Sequence, residues 1–98
     1  ANDDLVHPPL SLSVYPNPFN ASQDLRIKLS SQIDAPGSLK IYNLRGQLLR
    51  TVPFSKDNAS ELSWNGRDDS GRDCATGIYL LRVQIPGRKA ISRRIVKL

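Results

Sequence analysis

Short segments of the chain alternate apolar and polar residues with a period of two. Leu10, Leu12 and Val14 alternate ahead of Pro16, and Leu25, Ile27 and Leu29 alternate against Asp24, Arg26, Lys28 and Ser30. That period sends successive side chains to opposite faces, so each segment predicts a half-buried strand. From Ser38 to Val52, Leu39 and Ile41 share one face, Arg45-Gly46 supplies a turn, and the chain returns through Leu48, Leu49 and Val52. This predicts a hairpin, and the Leu49 to Val52 spacing breaks the period as a β-bulge would. Leu62 and Trp64 alternate with Glu61 and Ser63 before a turn-rich stretch from Asn65 to Gly71. Tyr79, Leu81, Val83 and Ile85 form the longest clean alternation, and Pro86-Gly87 leads into a last strand over Lys89 to Leu98. There Ile91, Ile95, Val96 and Leu98 do not share one parity, so the pattern assigns no inward face.

Seven Pro and six Gly interrupt the chain too often for a helical period to build up. About seven short strands at intervals of roughly 8 to 12 residues predict an all-β, immunoglobulin-like antiparallel β-sandwich. Its expected core contains Leu25, Ile27, Leu62, Trp64, Tyr79, Leu81 and Val83. Ninety-eight residues suit one domain, assigned to 10–98. Residues 1–9, with Asn2, Asp3, Asp4 and Pro8-Pro9, read as the end of an interdomain linker. The lack of any Met leads us to expect a piece of a longer precursor. No apolar run approaches the ~20 residues that cross a bilayer as a helix.

Charge and candidate chemistry narrow the function. The formal net charge is +5, and its excess lies in the final segment: Arg82, Arg88, Lys89, Arg93, Arg94 and Lys97 occur there with no acid. One Cys and one His cannot make a disulfide or a four-ligand zinc site, so no structural metal or cofactor is expected. Asp68, Asp69 and Asp73 offer oxygen ligands for calcium, but their spacing fails the EF-hand template and suits a turn braced by side-chain acceptors. His7 and Cys74 lack the orienting group and oxyanion hole of a nucleophilic site, and no pair of acids faces a predicted cleft, so no catalytic residue is assigned. Trp64 and Tyr79 have inward parity, which leaves Tyr42 as the aromatic to test for sugar stacking. Asn20-Ala21-Ser22 and Asn58-Ala59-Ser60 fit the N-glycosylation pattern but read as turn residues. The basic end lacks interleaved aromatics, so nucleic acid is not an expected partner.

Tyr15-Pro16-Asn17-Pro18-Phe19-Asn20, then Leu39-Lys40-Ile41-Tyr42-Asn43 with Gly46-Gln47, then Trp64 to Arg72, then Gly77-Ile78-Tyr79, then a basic-hydrophobic end form an ordered set of blocks. In that order the chain resembles the type A C-terminal sorting domain of proteins exported by the type IX secretion system of Bacteroidetes and related phyla. It is similar as well to the immunoglobulin-like domain of the flagellar hook-capping protein. Ala21 and Cys74 depart from the usual pattern.

The resemblance implies a non-catalytic secretion, sorting and cell-surface attachment module of a larger secreted protein, often a hydrolase or adhesin. It would pass through the periplasm and end secreted or on the outer-membrane surface. Its partners would be an outer-membrane translocon and a sortase-like peptidase, and the isolated domain is expected to be a monomer. The positions matching the family's motifs are Pro16, Asn17, Pro18, Gly77, Tyr79, Arg93, Arg94, Ile95, Val96, Lys97 and Leu98. A structural module of the hook-capping type and a carbohydrate-binding module are the alternatives. Three structural expectations accompany this reading. Asn17 and Asn20 should hold local backbone, the final strand should be an edge open to β-augmentation, and deleting the last six residues should leave the domain largely folded.

Overall fold

The structure is a computed structural model that describes residues 10–20, 22–29, 33 and 35–98. The linker expected over 1–9, with His7, lies outside the described residues, as does Ala21.

Seven strands follow in chain order: β1 (Leu12–Tyr15), β2 (Leu25–Leu29), β3 (Gly37–Asn43), β4 (Leu48–Phe54), β5 (Leu62–Trp64), β6 (Gly77–Gln84) and β7 (Ile91–Lys97). They form a three-stranded sheet in the order β1-β2-β5 and a four-stranded sheet in the order β4-β3-β6-β7, every neighbouring pair antiparallel. This is the expected all-β sandwich. No helix occurs among the described residues.

The period-two segments put their apolar residues between the sheets. Leu25, Ile27 and Leu29 alternate with exposed Arg26 and Lys28, and Tyr79, Leu81 and Val83 are buried on β6. Register carries this across strands: Leu25 faces Trp64, Ile27 faces Leu62, Leu39 faces Val83 and Ile41 faces Leu81. All seven expected core residues are buried, joined by Leu12, Phe19, Leu39, Ile41, Phe54 and Ile95. The β3–β4 hairpin turns at Gly46, whose φ of 84° favours a residue without Cβ. Its bulge falls where the spacing placed it: Ile41 faces Arg50 and Tyr42 faces Leu48, so Leu49 is the extra residue.

On β7, Ile95 is fully buried and Ile91 partly buried, which makes the odd positions inward. Lys97 shares that parity and is itself buried. This overturns the expectation that the last six residues can be deleted without harm, because the deletion removes Ile95 and Lys97 from the interior.

Trp64 is 1% exposed, with the Phe19 and Tyr79 rings each 5.5 Å from it, centroid to centroid. Trp64→Ala should therefore cost about 3–5 kcal/mol in denaturant unfolding; a loss under about 1 kcal/mol would show that this aromatic cluster does not hold the two sheets together.

Candidate functional site

The sequence blocks converge on one end of the sandwich, and the chain between β1 and β2 begins that convergence. Pro16 and Pro18 lack amide donors, so the backbone there cannot sustain a ladder, and both Xaa-Pro bonds are cis. The chain leaves the three-stranded sheet after Tyr15 and reappears beside the other sheet, where Phe19 pairs in parallel with Lys97. The Phe19 amide donates to the Val96 carbonyl at 2.9 Å, and the Leu98 amide donates to the Phe19 carbonyl at 2.8 Å. One step earlier, the Asn17 side chain stands in for the missing backbone. Its Oδ1 accepts from the Val96 amide at 3.0 Å and its Nδ2 donates to the Arg94 carbonyl at 3.2 Å.

Two expectations change as a result. Asn20 does hold local backbone, accepting from the Ser22 amide at 3.0 Å, but Asn17 spans 79 residues to reach Val96. The outer edge of β7 from the Arg94 carbonyl to Leu98 is already paired, so it offers no open ladder there for another strand. Arg93 adds a further tie, its Nη2 donating to the Leu12 carbonyl on β1.

Lys97 lies at the centre of the cluster. Its stem passes so close to Gly66 that a Cβ on Gly66 would stand 2.6 Å from Lys97 Cε. Gly66 also has φ +81°, so the Asn65-Gly66 turn is needed both for its backbone and for the space it leaves. The Lys97 ammonium donates to the Cys74 carbonyl at 2.8 Å, and the Cys74 amide donates to the Gly66 carbonyl at 2.8 Å. An aliphatic stem buried against Gly66 and an ammonium on a carbonyl is how a lysine can be interior at tolerable cost. In the sequence Lys97 reads as part of a basic signal, whereas in the fold it is an interior residue.

The turn-rich block closes on itself and on β4. Asp68 Oδ1 accepts from the Ser70 amide and hydroxyl and from the Arg72 amide, at 2.7–3.0 Å. Those bonds, the Ser70 hydroxyl foremost, hold the Asp68 carboxyl below its ordinary range. Asp73 meets Arg67 at 3.4 Å. Asp69 faces the bulge: its amide donates to the Leu49 carbonyl at 2.9 Å, and its carboxylate lies 3.7 Å from the Arg50 guanidinium. The three carboxylates thus have different partners. Among the described residues no group of three or more His, Cys, Asp or Glu side chains is placed to hold a metal ion.

Trp64 Nε1 donates to the Arg67 carbonyl at 2.8 Å, and the Tyr79 hydroxyl donates to the Ala75 carbonyl. This second bond is the tyrosine corner of immunoglobulin-like sandwiches. Burial pushes the Tyr79 phenol up, and it pushes the half-buried Cys74 thiol up as well, the Asp68 carboxylate adding to the effect. A thiol shifted upward is poorly suited to nucleophilic chemistry.

The end of the domain is therefore a joint built from Asn17, Phe19, Trp64, Gly66, Tyr79 and Lys97. Ile95 is beneath it, while Arg94 and Leu98 are exposed. The sequence had grouped these residues as motif blocks without showing that they touch.

A sandwich of this topology with a tyrosine corner defines an immunoglobulin-like β-sandwich domain. The chain belongs to the FlgD Ig-like domain family, whose sequence model matches residues 15–87. Among solved structures, PorZ, described as an essential bacterial surface component of the type-IX secretion system of Porphyromonas gingivalis, is similar with a TM-score of 0.70 and 28% identity. The match covers 90% of this chain and 11% of PorZ. Dimeric latent PorU from the same organism shares the fold, with a TM-score of 0.70 at 18% identity, over 93% of this chain and 10% of its own. A comparison with curated proteins found no match. The chain is thus an immunoglobulin-like domain related to a type-IX secretion component.

Asn17→Ala should destabilise the domain by about 1–3 kcal/mol, because it strips partners from the Val96 amide and the Arg94 carbonyl. Arg94→Ala, which keeps the carbonyl that Asn17 uses, should cost less than about 0.5 kcal/mol. Equal losses in chemical denaturation would contradict a joint made through Asn17.

Proposed function

We propose that this domain is a non-catalytic C-terminal sorting and surface-attachment module of a larger secreted protein. In this reading an outer-membrane translocon recognises it, a sortase-like peptidase trims it, and it uses no cofactor. The observation that carries the reading is the 28% identity to the type-IX component PorZ over 90% of this chain. Among the motif residues, Asn17 and Lys97 hold strands and loops together, while Arg94 and Leu98 stay exposed on the surface where a partner could read them. Recognition of the folded domain would use exposed side chains such as Arg94 and Leu98 rather than the paired ladder of β7. The FlgD Ig-like match favours a second reading, a structural module inside an assembly protein, which would not direct export by itself.

A reporter with an N-terminal export signal and this chain at its C-terminus distinguishes the two. In a host with the type IX system it should appear on the cell surface, and it should stay periplasmic in an isogenic strain lacking the translocon. Arg94→Ala with Leu98→Ser should reduce display while the melting temperature is kept. A well-folded fusion that stays periplasmic in the competent host, or is displayed equally without the translocon, would overturn the sorting reading.

A further inference from the structure

The outer face of the four-stranded sheet has an apolar strip that no described residue covers. Leu39, Ile41, Leu81, Val83 and Ile95 point inward, which turns their neighbours outward. Pairing then sets Leu48, Tyr42, Leu80 and Arg94 in one row across β4, β3, β6 and β7, with Ile78 and Val96 paired beside it. Leu48 is 48% exposed, and Ile78 and Leu80 are more than a third exposed. On the other side of that row, Lys40 pairs with Arg82. Four strands span about 14 Å, and same-face neighbours along a strand are about 7 Å apart.

Charge on this sheet is one-sided. Strands β3, β4, β6 and β7 carry Lys40, Arg50, Arg82, Arg93, Arg94 and Lys97 and no acidic residue. Of these, Lys40, Arg82 and Arg94 border the apolar strip. The sheet edges are occupied near it: Asn17 and Phe19 pair with β7, and Asp69 meets β4 at Leu49. An incoming segment therefore meets the face and not a free ladder.

From this arrangement we infer that the face is a docking surface for an amphipathic helix of a partner protein, with an apolar stripe flanked by carboxylates. A helix about 10–12 Å across matches the width of the strip, and packing helix on sheet buries both apolar faces. A second copy of this chain would set like cations against Lys40, Arg82 and Arg94 and is disfavoured. This inference shares Arg94 with the sorting reading but does not rest on it, because its test reads peptide binding by the isolated domain and not export.

The test is a titration of the isotope-labelled domain with a synthetic helical peptide of about 18 residues, long enough to form a helix in water, bearing a leucine stripe flanked by glutamates. Saturable shifts should map to Tyr42, Leu48, Ile78, Leu80, Arg94 and Val96. Lys40→Glu with Arg82→Glu should weaken binding about tenfold or more, as should Leu80→Ser. Melting temperatures confirm that each variant is folded, and a peptide with lysines in place of the glutamates should not bind. The inference is overturned by no saturation, by shifts on another face, by equal binding of the lysine peptide or of the charge-reversed domain, or by self-association. Tighter binding to phosphatidylglycerol vesicles than to the peptide would likewise overturn it.

Discussion

The parallel pairing of Phe19 with the end of β7 is the constraint on which the rest of this domain depends. It joins the connection after β1, which belongs to the three-stranded sheet, to the outermost strand of the four-stranded sheet. Two prolines make that crossing possible by ending the first ladder, and Asn17 repairs the gap they leave by offering a side-chain amide in the place of a peptide group. An amide side chain provides one acceptor and one donor, which is what an unpaired strand edge needs. Phe19 then enters the core against Trp64, so the same four residues make the crossing and seal that end of the sandwich.

Lys97 extends the same logic to the turn-rich loop. Its stem fills the space that Gly66 leaves, and its ammonium binds the Cys74 carbonyl. A shorter apolar residue would leave that carbonyl without its partner, and a Cβ at Gly66 would displace the lysine. The loop in turn presents Asp69 to the bulge at Leu49. A chain of contacts thus runs from Asn17 through β7 and Gly66 to the far edge strand β4, and blocks that are distant in sequence are bound to one another. Where these edge stretches are engaged, an incoming partner would meet the outward face of the four-stranded sheet and not a free ladder.

Much of the sandwich was legible because most strands obey a period of two with one apolar face. Leu25 and Ile27 on β2, and Tyr79, Leu81 and Val83 on β6, needed nothing more. The bulge was legible too, since Leu49 and Val52 can both pack on the core only if one residue is extra. The last strand was not legible, and its chemistry explains why. An inward position holds a lysine, while outward positions hold Val96 and Leu98, so hydrophobicity and direction disagree there. Asn17 was read as a local turn residue because its partner lies 79 residues away, a separation that short-range turn chemistry does not address. The motif blocks are legible in the sequence only as an ordered series, and pattern alone could not show that the first block and the last are neighbours.

Amide hydrogen exchange resolved by residue tests this joint most directly. If the segment from Asn17 to Phe19 closes the edge of β7, the amides of Phe19, Val96 and Leu98 should exchange within about tenfold of those of Leu39 and Leu81, in the common unfolding event of the core. Exchange of all three near the rate of an open chain, while Leu39 and Leu81 stay protected, would show that the crossing is an ornament of the fold and would contradict this account.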